Sequence, residues 1–524
     1  MAYADATTSA PAGKGGDKER YLDAIDRYDR GTATWRQQCE AINKIYLDQH
    51  RTTASARRFA MLWSNIETLK PAVYARTPVA VVSRRFKDQD KIGRKAGETL
   101  ERCINTSFDL YGVDMVLQSV RDDRLLCARG SAWVRYEAEF EAGTAGQSAT
   151  PSGAVSDTAG DRNDPGQAAD QNGEKLTSEH VCTEFVHWAD FGHELRRTWP
   201  EVNIVWRRVY MDRGAVEKRW GKEQADKLNF SMRPEYAQRY GPDIKDATEP
   251  QAVIYELWDK TRKKTVWISK DEKILLESGK PPLNFRDFFP CPRPAYGTLA
   301  TGSLIPTPDY RYYQDQAEEI NDLTEKIAAL QEWLVLKAFI PAGPSSEGSD
   351  AIISMLQALS ERASSKGIFV PVESWSGFTE RGGARMIDWL PMDMVIGTIK
   401  AAIECRQALI NDVYQITGIS DILRGETDPN ETLGAQEIKA QTGSRRIQTC
   451  QRDLARFARD LAELVGEVIA EVFQPKTIAA MSGYDMTVEA PPQLLSQAQL
   501  LMGQIQQLQA PPPQMALPSP GMMQ

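Results

Sequence analysis

The chain has 524 residues, of which 41% are hydrophobic and 26% are charged, and its formal net charge is −9. This composition predicts an ordered globular protein with a sizeable core, and the length suits roughly three domains. The acidic balance argues against a protein that simply coats nucleic acid, because that affinity comes from Lys and Arg side chains neutralising phosphates.

The seven cysteines are scattered and include no C-x-x-C pair, which predicts reduced thiols in a protein made in the cytosol. No apolar run approaches the roughly 18 residues of a membrane span, so no membrane partner is expected. The first residues, MAYADATTSAPAGKGG, lack the apolar core of a secretory signal, and residues 1–16 are expected to form a flexible tail.

The first part of the chain alternates helices and strands. Helical periodicity runs from Lys18 to Gln49 and again through FAMLWSNIETLKPAVYA, where Pro71 is expected to end or kink the helix. The β-branched run PVAVVSRRF predicts a strand. Two amphipathic helices over 89–111 and 113–128 are then expected before the strand SAWVRYEAEFE.

Residues 143–178 are rich in Gly, Ser, Ala and Asp and nearly free of large apolar side chains. Such a segment cannot bury enough surface to offset its ordering entropy, so we expect a surface loop between two strands. Strands at VNIVWRRVYM, QAVIYELWDK and KTVWISK and a short helix at DRGAVEKRWG follow before residue 300, which indicates α+β organisation.

Two long helices then bracket a small unit. The first is predicted over DYRYYQDQAEEINDLTEKIAALQEWLVLK, with Asp309 at its start, and the second begins at MDMVIGTIKAAIECRQALINDVYQIT. The small unit spans 337–391, and a further amphipathic helix is predicted over RDLARFARDLAELVGEVIAEVF. The polar face of the first helix is strongly acidic: Asp315, Glu318, Glu319, Asp322, Glu325 and Glu332.

Motifs for enzyme chemistry are sparse. We find no phosphate-binding G-x-x-x-x-G-K-[ST], no dinucleotide fingerprint and no H-E-x-x-H, and no cofactor is expected. His180, Cys182, His187 and His193 are close in sequence, but strand alternation separates them on opposite faces, which favours structural or surface histidines over a zinc site. A solvated helix face is favoured over a catalytic carboxylate pair for the acidic cluster.

Two further groups leave alternatives open. One is a set of arginines that could contact phosphate. With slightly more support, these arginines pair either with Asp453, Asp460 and Glu463 or with neighbouring subunits. The members of this set are Arg445, Arg446, Arg452, Arg456 and Arg459. The other is the aromatic group around the small unit, which suits core packing or an interface. Trp375, Phe378 and Trp389 are its candidates for docking a partner.

Four stretches in order resemble the portal proteins of tailed bacteriophages, closest to those of short-tailed phages. They are WSNIETLKPAVYARTPVAVV, DFGHELRRTWPEVNIVWRRVYM, LIPTPDYRYYQDQAEEIN, and GISDILRGETDPNETLGAQEIKAQTGSRRIQ with the following ARFARDLAE. The resemblance covers residues 20–475, and it is specific because the stretches keep their order around the two long helices. The C-terminal segment is short for the family.

The resemblance implies a mainly α-helical α+β subunit of a ring, a homododecamer in the virion, at one vertex of the capsid. DNA passes through the axial channel during packaging and ejection, while the terminase motor hydrolyses ATP, so this chain is not expected to be an enzyme. The implied partners are the terminase large subunit, a head-to-tail adaptor or tail protein, the major capsid and scaffolding proteins, and double-stranded DNA without sequence specificity. Assembly is expected in the host bacterial cytoplasm.

The resemblance also implies a division of the chain. The expected parts are a wing over 17–308, stem helices over 309–336 and 392–416, a clip over 337–391, a tunnel loop or hinge over 417–430, a long wing helix over 431–475, and a short crown with a proline-rich tail over 476–524.

The segment after the second stem helix is expected to face the channel. Gly418 can end that helix with a positive φ, and Asp428-Pro429-Asn430-Glu431 resembles a capping box for the next helix. Gly434 and Gly443 are expected to act with Gly418 as hinge positions, since each glycine weakens a helix by roughly 1 kcal/mol relative to alanine. The expected channel-lining residues are Glu318, Glu319, Asp322, Glu325, Arg424, Glu426, Thr427, Asn430, Gln436, Lys439 and Arg445.

An acidic channel repels phosphate and lets DNA slide, whereas a basic lining would bind it in a salt-dependent way. The alternative for this face is a set of salt bridges between subunits. The sequence is also compatible with two other functions: another structural protein of the tail or adaptor, and, with less support, a virion-associated hydrolase.

Overall fold

The computed structural model describes residues 16–49, 57–84, 90–142, 174–232, 249–334, 337–341, 368–372, 388–389, 392–419 and 433–484. The fold is mixed α+β and mainly helical, with about 55% helix and 19% strand, which confirms the predicted class. The helices are α1 (Asp17–Tyr46), α2 (Met61–Val73), α3 (Lys91–Leu110), α4 (Val113–Cys127), α5 (Arg213–Trp220), α6 (Lys222–Ala225), α7 (Gln314–Trp333), α8 (Met392–Thr417), α9 (Leu433–Val472) and α10 (Pro475–Ser482).

The strands form four sheets within the described residues. A five-stranded antiparallel sheet has the order β3-β4-β5-β6-β7, and a three-stranded one has the order β2-β1-β8. Strands β9 and β10 pair with each other, and in the small unit β11 lies between β12 and β13. The bounds are β1 (Arg129–Ala142), β2 (Glu174–Val186), β3 (Phe191–His193), β4 (Ile204–Met211), β5 (Ala252–Asp259), β6 (Lys264–Ser269), β7 (Ile274–Gly279), β8 (Ala295–Tyr296), β9 (Thr298–Leu299), β10 (Pro306–Thr307), β11 (Lys337–Pro341), β12 (Ile368–Val372) and β13 (Asp388–Trp389).

The central strands β5 and β6 are mostly buried, and their side chains alternate between the two faces of the sheet, whereas the edge strand β7 is largely exposed. Tyr255 and Leu257 of β5 pack against the N-terminal half of α1, which contributes Tyr21 and Ile25 to the same cluster. Trp258, on the opposite face of β5, belongs to the main core instead. The sheet therefore holds α1 in place on one side and the rest of the body on the other.

The main core lies where α2, α3, α4 and α9 meet the β1–β2 hairpin. Gly466 brings α9 close to α3, since a Cβ at this position would lie 3.2 Å from Cδ1 of Ile104. The C-terminal helix α10 is fixed to β2 by Glu179, whose carboxylate accepts hydrogen bonds from the Gln474 N–H at 2.8 Å and from the Thr477 hydroxyl. One carboxylate thus ties the end of the described chain to the hairpin.

A buried guanidinium lies at the centre of the body. Arg129 is 1% exposed and donates hydrogen bonds to the Tyr28 hydroxyl at 2.5 Å, to the Trp188 carbonyl at 2.6 Å and to the Phe191 carbonyl at 2.9 Å. Its carbon Cζ lies 4.4 Å from the centre of the Trp35 ring. Helix α1, strand β1 and the segment before β3 are therefore joined through one side chain.

The predicted strand at PVAVVSRRF is wrong over residues 78–84, which form no regular strand. Side chains of α3 take the place of a partner strand there. The Ala80 N–H donates to Asn105 Oδ1 at 2.8 Å, and the Val82 N–H donates to Glu101 Oε2 at 2.8 Å. The β-branched run is therefore bound through its backbone by side chains of α3 and forms no strand pairing.

Two predicted boundaries also differ. The first long helix begins at Gln314, because Asp309–Tyr312 forms a 3₁₀ turn and Tyr313 has φ −133. The Asp309 carboxylate accepts a hydrogen bond from the Thr298 hydroxyl at 2.9 Å instead of capping the α-helix. Strand β2 begins at Glu174, so the last residues of the expected loop 143–178 are paired with β1.

The second and third long helices were predicted more closely. Helix α8 spans Met392–Thr417, and α9 begins at Leu433 and continues through the predicted RDLARFARDLAELVGEVIAEVF segment to Val472, one residue before its end. The sequence of α8 predicts an apolar stripe of Met392, Ile396, Ile399, Ile403, Ile410, Val413 and Ile416. Ile399, Ile410 and Val413 of this stripe are buried, whereas Ile396 and Ile403 are exposed.

His193 provides a pH-dependent test of the core. Burial and the nearby charge of Arg129 lower the pKa of His193 to about 3. In the unfolded chain the ordinary pKa is about 6.5, so between these values the unfolded chain binds a proton that the folded chain does not. We expect the free energy of unfolding of the natural protein, relative to a His193→Gln variant, to fall by roughly 1.4 kcal/mol per pH unit as the pH drops from 6 to 4.

Urea unfolding of both proteins at pH 7, 6, 5 and 4 measures this difference. Burial also raises the pKa of Asp123 well above its ordinary value. Because both proteins contain Asp123, its contribution to the pH dependence cancels in the difference between them. A difference that stays constant with pH would contradict a buried neutral imidazole at position 193.

Candidate functional site

The two long helices α7 and α8 form an antiparallel rod. They pack against each other along their length, and the Arg406 guanidinium of α8 lies 3.5 Å from the Thr324 hydroxyl of α7. The start of α7 at Tyr313 and the end of α8 at Ile416 line the same cavity of about 600 Å³. Because one helix begins where the other ends, the chain leaves the body along α7 and returns along α8.

Among the described residues, the rod joins the main core at this shared end. Tyr313, directly before α7, belongs to the main core, as do Ala317 and Ile320 of α7 and Ile410 and Val413 of α8. Further along, Ile327 and Ile399 are buried but are not members of that core. At about 1.5 Å per residue, the 26 residues of α8 span roughly 40 Å.

The exposed side of α7 carries the predicted acidic face. Asp315, Glu318, Glu319, Asp322 and Glu325 are all exposed, whereas Tyr313, Ala317, Ile320 and Ile327 on the other side are buried. Within the described residues none of these five carboxylates is ion-paired, and Glu318 accepts a hydrogen bond only from the Gln314 amide, at 2.8 Å. The face is therefore a run of exposed carboxylates without ion-pair partners among the described residues, and its position follows the predicted spacing.

Several contacts fix the orientation of this face. The Phe59 N–H donates to Asn321 Oδ1 at 2.9 Å, which ties α7 to the segment before α2. The rings of Tyr310 and Tyr313 meet edge to face with centroids 5.2 Å apart. Burial and the charge of Glu318 raise the pKa of Tyr310 to about 12, so this phenol stays neutral beneath the acidic face.

Gly418 ends α8 as predicted, with φ +71, a conformation that favours glycine. Its N–H donates to the Tyr414 carbonyl at 2.8 Å. The Arg446 guanidinium of α9 donates to the Ile416 carbonyl at 2.5 Å, and Arg446 Cδ lies 2.9 Å from the position of a Cβ on Gly418. The end of the rod is therefore closed by a cation that also complements the helix dipole.

The other expected channel residues are only partly placed. Arg424, Glu426, Thr427 and Asn430 lie outside the described residues, as does the expected capping box at Asp428. Gln436 and Lys439 lie on α9, and Arg445 of the same helix is exposed. Gly434 and Gly443 lie within the continuous helix α9, and their role as hinges stays a prediction.

The expected docking aromatics of the small unit are placed only at Trp389. This residue pairs with Ala338 between β13 and β11, while Trp375 and Phe378 lie outside the described residues. Strands β11 and β12 are parallel, with Ala338 opposite Phe369.

The histidine and cysteine group does not converge. His180 stacks on Tyr111 with ring centroids 4.7 Å apart, and its Nε2 lies 3.2 Å from a carboxylate oxygen of Glu137. His193 is buried, and its Nδ1 lies 2.9 Å from the Glu194 carbonyl. In the described part of the chain, no three His, Cys, Asp or Glu side chains are grouped to hold a metal ion.

Two members of the arginine set, Arg456 and Arg459, form ion pairs on α9, and phosphate contact by the set stays a prediction. Arg456 pairs with Asp453 at 3.1 Å and with Asp460 at 2.9 Å, and Arg459 pairs with Asp460 at 2.7 Å. The two pairs of Arg456 follow the predicted spacing of three or four residues, whereas Arg459 and Asp460 are neighbours in sequence. Arg445 and Arg452 are exposed and form no ion pair with a described residue.

Sequence reasoning missed a polar cavity of about 850 Å³ between the five-stranded sheet and the β1–β2 hairpin. Glu256 accepts a hydrogen bond from Arg207 Nε at 2.7 Å, and Glu184 is paired with both Arg207 and Arg135. Burial works to raise the pKa of Glu184, but the two arginines hold it below its ordinary value. Strand alternation on β2, β4 and β5 predicts which face of each strand carries these charged residues. It does not predict that they meet, because the packing of the sheets brings them together.

No protein-family model matches this chain, and a search of curated proteins finds none similar to it. Among the described helices, none is long and apolar enough to cross a membrane.

Substituting Gly418 tests the junction between rod and body. In Gly418→Ala, the methyl group meets Arg446, and a left-handed conformation costs roughly 1–2 kcal/mol for a residue with a Cβ. We expect the free energy of unfolding to fall by at least that amount, measured by urea unfolding.

Gly397→Ala is the matched control, because Gly397 lies inside α8 and a Cβ there meets nothing within 4 Å. We expect this change to stabilise the protein by about 1 kcal/mol, as alanine does within an exposed helix. Equal effects of the two substitutions would contradict a specific requirement for glycine at position 418.

Proposed function

We propose that this chain is a subunit of a phage portal, a ring at one capsid vertex through which DNA is packaged and later ejected. The observation that carries the proposal is the antiparallel rod, which has exposed carboxylates without ion-pair partners among the described residues on α7 and the strands β11, β12 and β13 between its two helices. The order of four long sequence stretches resembling portal proteins supports the same assignment. In this proposal α7 and α8 are the stem, and the unit over 337–391 is the clip that docks terminase and the adaptor.

The rod has surface that suits neighbouring copies. Met394 is 74% exposed on α8, and Ile396 and Ile403 are 39% and 41% exposed. Apolar side chains gathered on one helix favour burial against another surface. In a ring, each rod packs between two identical neighbours, so these side chains leave water without any change in the subunit fold.

The acidic face suits a conduit for DNA. Carboxylates that face the axis repel phosphates. Double-stranded DNA therefore passes with its counterions in place, because no fixed cations bind its phosphates. The proposed lining comprises Glu318, Glu319, Asp322 and Glu325, with Asp315 at the end next to the body. ATP hydrolysis is left to the terminase, and this chain acts as channel and docking ring.

Electron microscopy of the purified protein tests ring formation directly. We expect class averages of a closed ring with a central hole, with twelvefold symmetry in the assembled virion. Particles that remain monomeric at micromolar concentration, or form open filaments only, would contradict the portal assignment and favour another tail or adaptor protein.

Charge reversal tests the lining. We expect the variant with Glu318, Glu319, Asp322 and Glu325 all changed to Lys to assemble into rings and to package several-fold less DNA. The reason is that lysines in the channel bind phosphate and hold the DNA. The measurement is nuclease-protected DNA per particle, in procapsids supplied with the cognate terminase.

A matched control carries the same change in net charge elsewhere. Glu19, Glu40, Glu201 and Asp271 are exposed carboxylates on other elements, and their change to Lys is expected to leave packaging near the natural level. Loss of ring assembly in the α7 variant alone would show that its face makes contacts between subunits, and unchanged packaging would remove the channel assignment.

A further inference from the structure

The junction cavity lies where the rod meets the body. It is the space of about 600 Å³ bounded by Leu69 of α2, Arg124 of α4, Tyr313 before α7, Thr417 of α8 and Cys450 of α9. Pockets that hold small organic molecules have volumes of roughly 300–1,000 Å³. Five parts of the chain meet around this space, so the cavity belongs to the assembled fold and not to a single element.

A buried guanidinium lies at the wall of this cavity. Arg124 is 7% exposed, and its Nε has no hydrogen-bond partner among the described residues. Its ion pair is long, since Nε lies 3.6 Å from Oδ2 of Asp453, and that carboxylate is bound more closely by Arg456, at 3.1 Å. A buried charge is costly unless several polar groups surround it. The described part of the chain therefore leaves Arg124 with hydrogen-bonding capacity to spare.

A second buried donor lies at the same cavity. Asn65 of α2 is 3% exposed, and its Nδ2 has no hydrogen-bond partner of acceptable geometry within the described residues. Burial raises the pKa of the neighbouring Tyr313 phenol, and the Asn65 amide opposes that shift. Buried polar groups in folded proteins are normally hydrogen-bonded. Two buried donors without acceptors thus favour a ligand that brings acceptor atoms of its own.

Much of the remaining wall is apolar. The buried side chains that line it include Leu62, Ile66 and Val73 of α2, Leu125 of α4 and Ile447 of α9. Hydrocarbon that enters this space leaves water, and each buried methylene group strengthens binding by roughly threefold to fourfold. A ligand that fits the wall therefore has acceptor atoms at one end and hydrocarbon over the rest.

The charges at the cavity suit one negative group. Besides Arg124, the charged lining residues are Arg446 and Asp309, and both of these are exposed. Arg446 already donates to a carbonyl of α8, and Asp309 already accepts from a threonine hydroxyl. Arg124 is therefore the buried charge that a ligand meets, and the nearby Asp453 disfavours an anion of higher charge. A guanidinium binds a carboxylate through two parallel hydrogen bonds.

We propose that the junction cavity binds a small organic carboxylate, with Arg124 as the partner of the carboxylate, Asn65 as a second donor and the hydrocarbon against α2 and α4. This site goes beyond the proposed function, because it lies within one subunit and does not depend on a ring. A ligand here contacts α2, α8 and α9 together. It therefore stabilises the junction between rod and body by binding the folded chain.

Titration calorimetry with hexanoate tests the class of ligand. We expect hexanoate to bind at least tenfold more tightly than 1-hexanol, which has the hydrocarbon without the charge, or inorganic phosphate, which has the charge without the hydrocarbon. From butanoate to octanoate, the affinity is expected to rise by roughly threefold to fourfold per methylene group. Absence of hexanoate binding would overturn the proposal, and phosphate binding as tight as that of hexanoate would contradict the role of the apolar wall.

The thiol of Cys450 reports on the site in the natural protein. It lines the cavity and is partly buried, whereas Cys405 of α8 is exposed and does not line it. We expect saturating hexanoate to slow alkylation of Cys450 by iodoacetamide several-fold and to leave the rate at Cys405 unchanged. Mass spectrometry of peptides from timed reactions measures both rates. An unchanged rate at Cys450 with hexanoate bound would place the ligand elsewhere and overturn the proposed site.

Three variants separate charge from shape. Arg124→Met removes the guanidinium and is expected to weaken hexanoate binding at least tenfold while leaving 1-hexanol binding near the natural value. Leu69→Trp fills the cavity and is expected to weaken both. The matched control is Arg452→Met, because Arg452 is exposed on α9 and does not line the cavity, and natural affinity is expected for it. Circular dichroism checks the fold of each variant. If Arg124→Met fails to fold, Leu69→Trp and the Cys450 rates decide, and natural hexanoate affinity in a folded Arg124→Met or Leu69→Trp protein would overturn the proposal.

Discussion

The body of this protein depends on the burial of one guanidinium. Arg129 is surrounded by aromatic rings and satisfied by two carbonyls and a phenol, and its Nε has no hydrogen-bond partner among the described residues. A buried charge is costly unless it is well solvated by protein groups, so its partners must occupy fixed positions. This constraint sets the position of α1 against β1 and of the segment that leads into β3.

The rod inherits its orientation from that body. Tyr313 and Val413, at the ends of α7 and α8 nearest the body, are buried in the same core as Trp35 and Trp133. Gly418 and Arg446 then fix the point where the chain leaves α8. A change in the packing of α2 or α9 would therefore move both helices of the rod together, which joins the stability of the core to the alignment of the acidic face.

Local sequence pattern predicted the helices well and the irregular pieces less well. The stripe of α8 and the acidic face of α7 follow from periodicity alone, because exposure on a helix repeats every three to four residues. The segment at Pro78 was predicted as a strand because propensity does not say which groups will bind the backbone, and here Asn105 and Glu101 do so. Likewise Asp309 had the sequence of a helix cap, but Thr298 binds its carboxylate.

The charge clusters depend even more on distant parts of the chain. The pairing of Glu184 with both Arg135 and Arg207 joins three strands that lie far apart in sequence, and no local rule anticipates it. The spacing of Arg456 from Asp453 and Asp460 is local, and that pairing was among the predicted alternatives. What the sequence leaves open is therefore mainly which charged groups meet across elements.

The exposed carboxylates of α7 have a consequence for the solution inside the proposed ring. Repeated around an axis, they would hold a dense layer of mobile cations, and the thickness of that layer would follow the ionic strength, about 10 Å at 0.1 M salt. DNA carries a similar cation layer of its own. Mobile cations would therefore separate the DNA from the channel wall as the DNA moves. The composition of this cation layer would be set by the surrounding electrolyte and not by the protein.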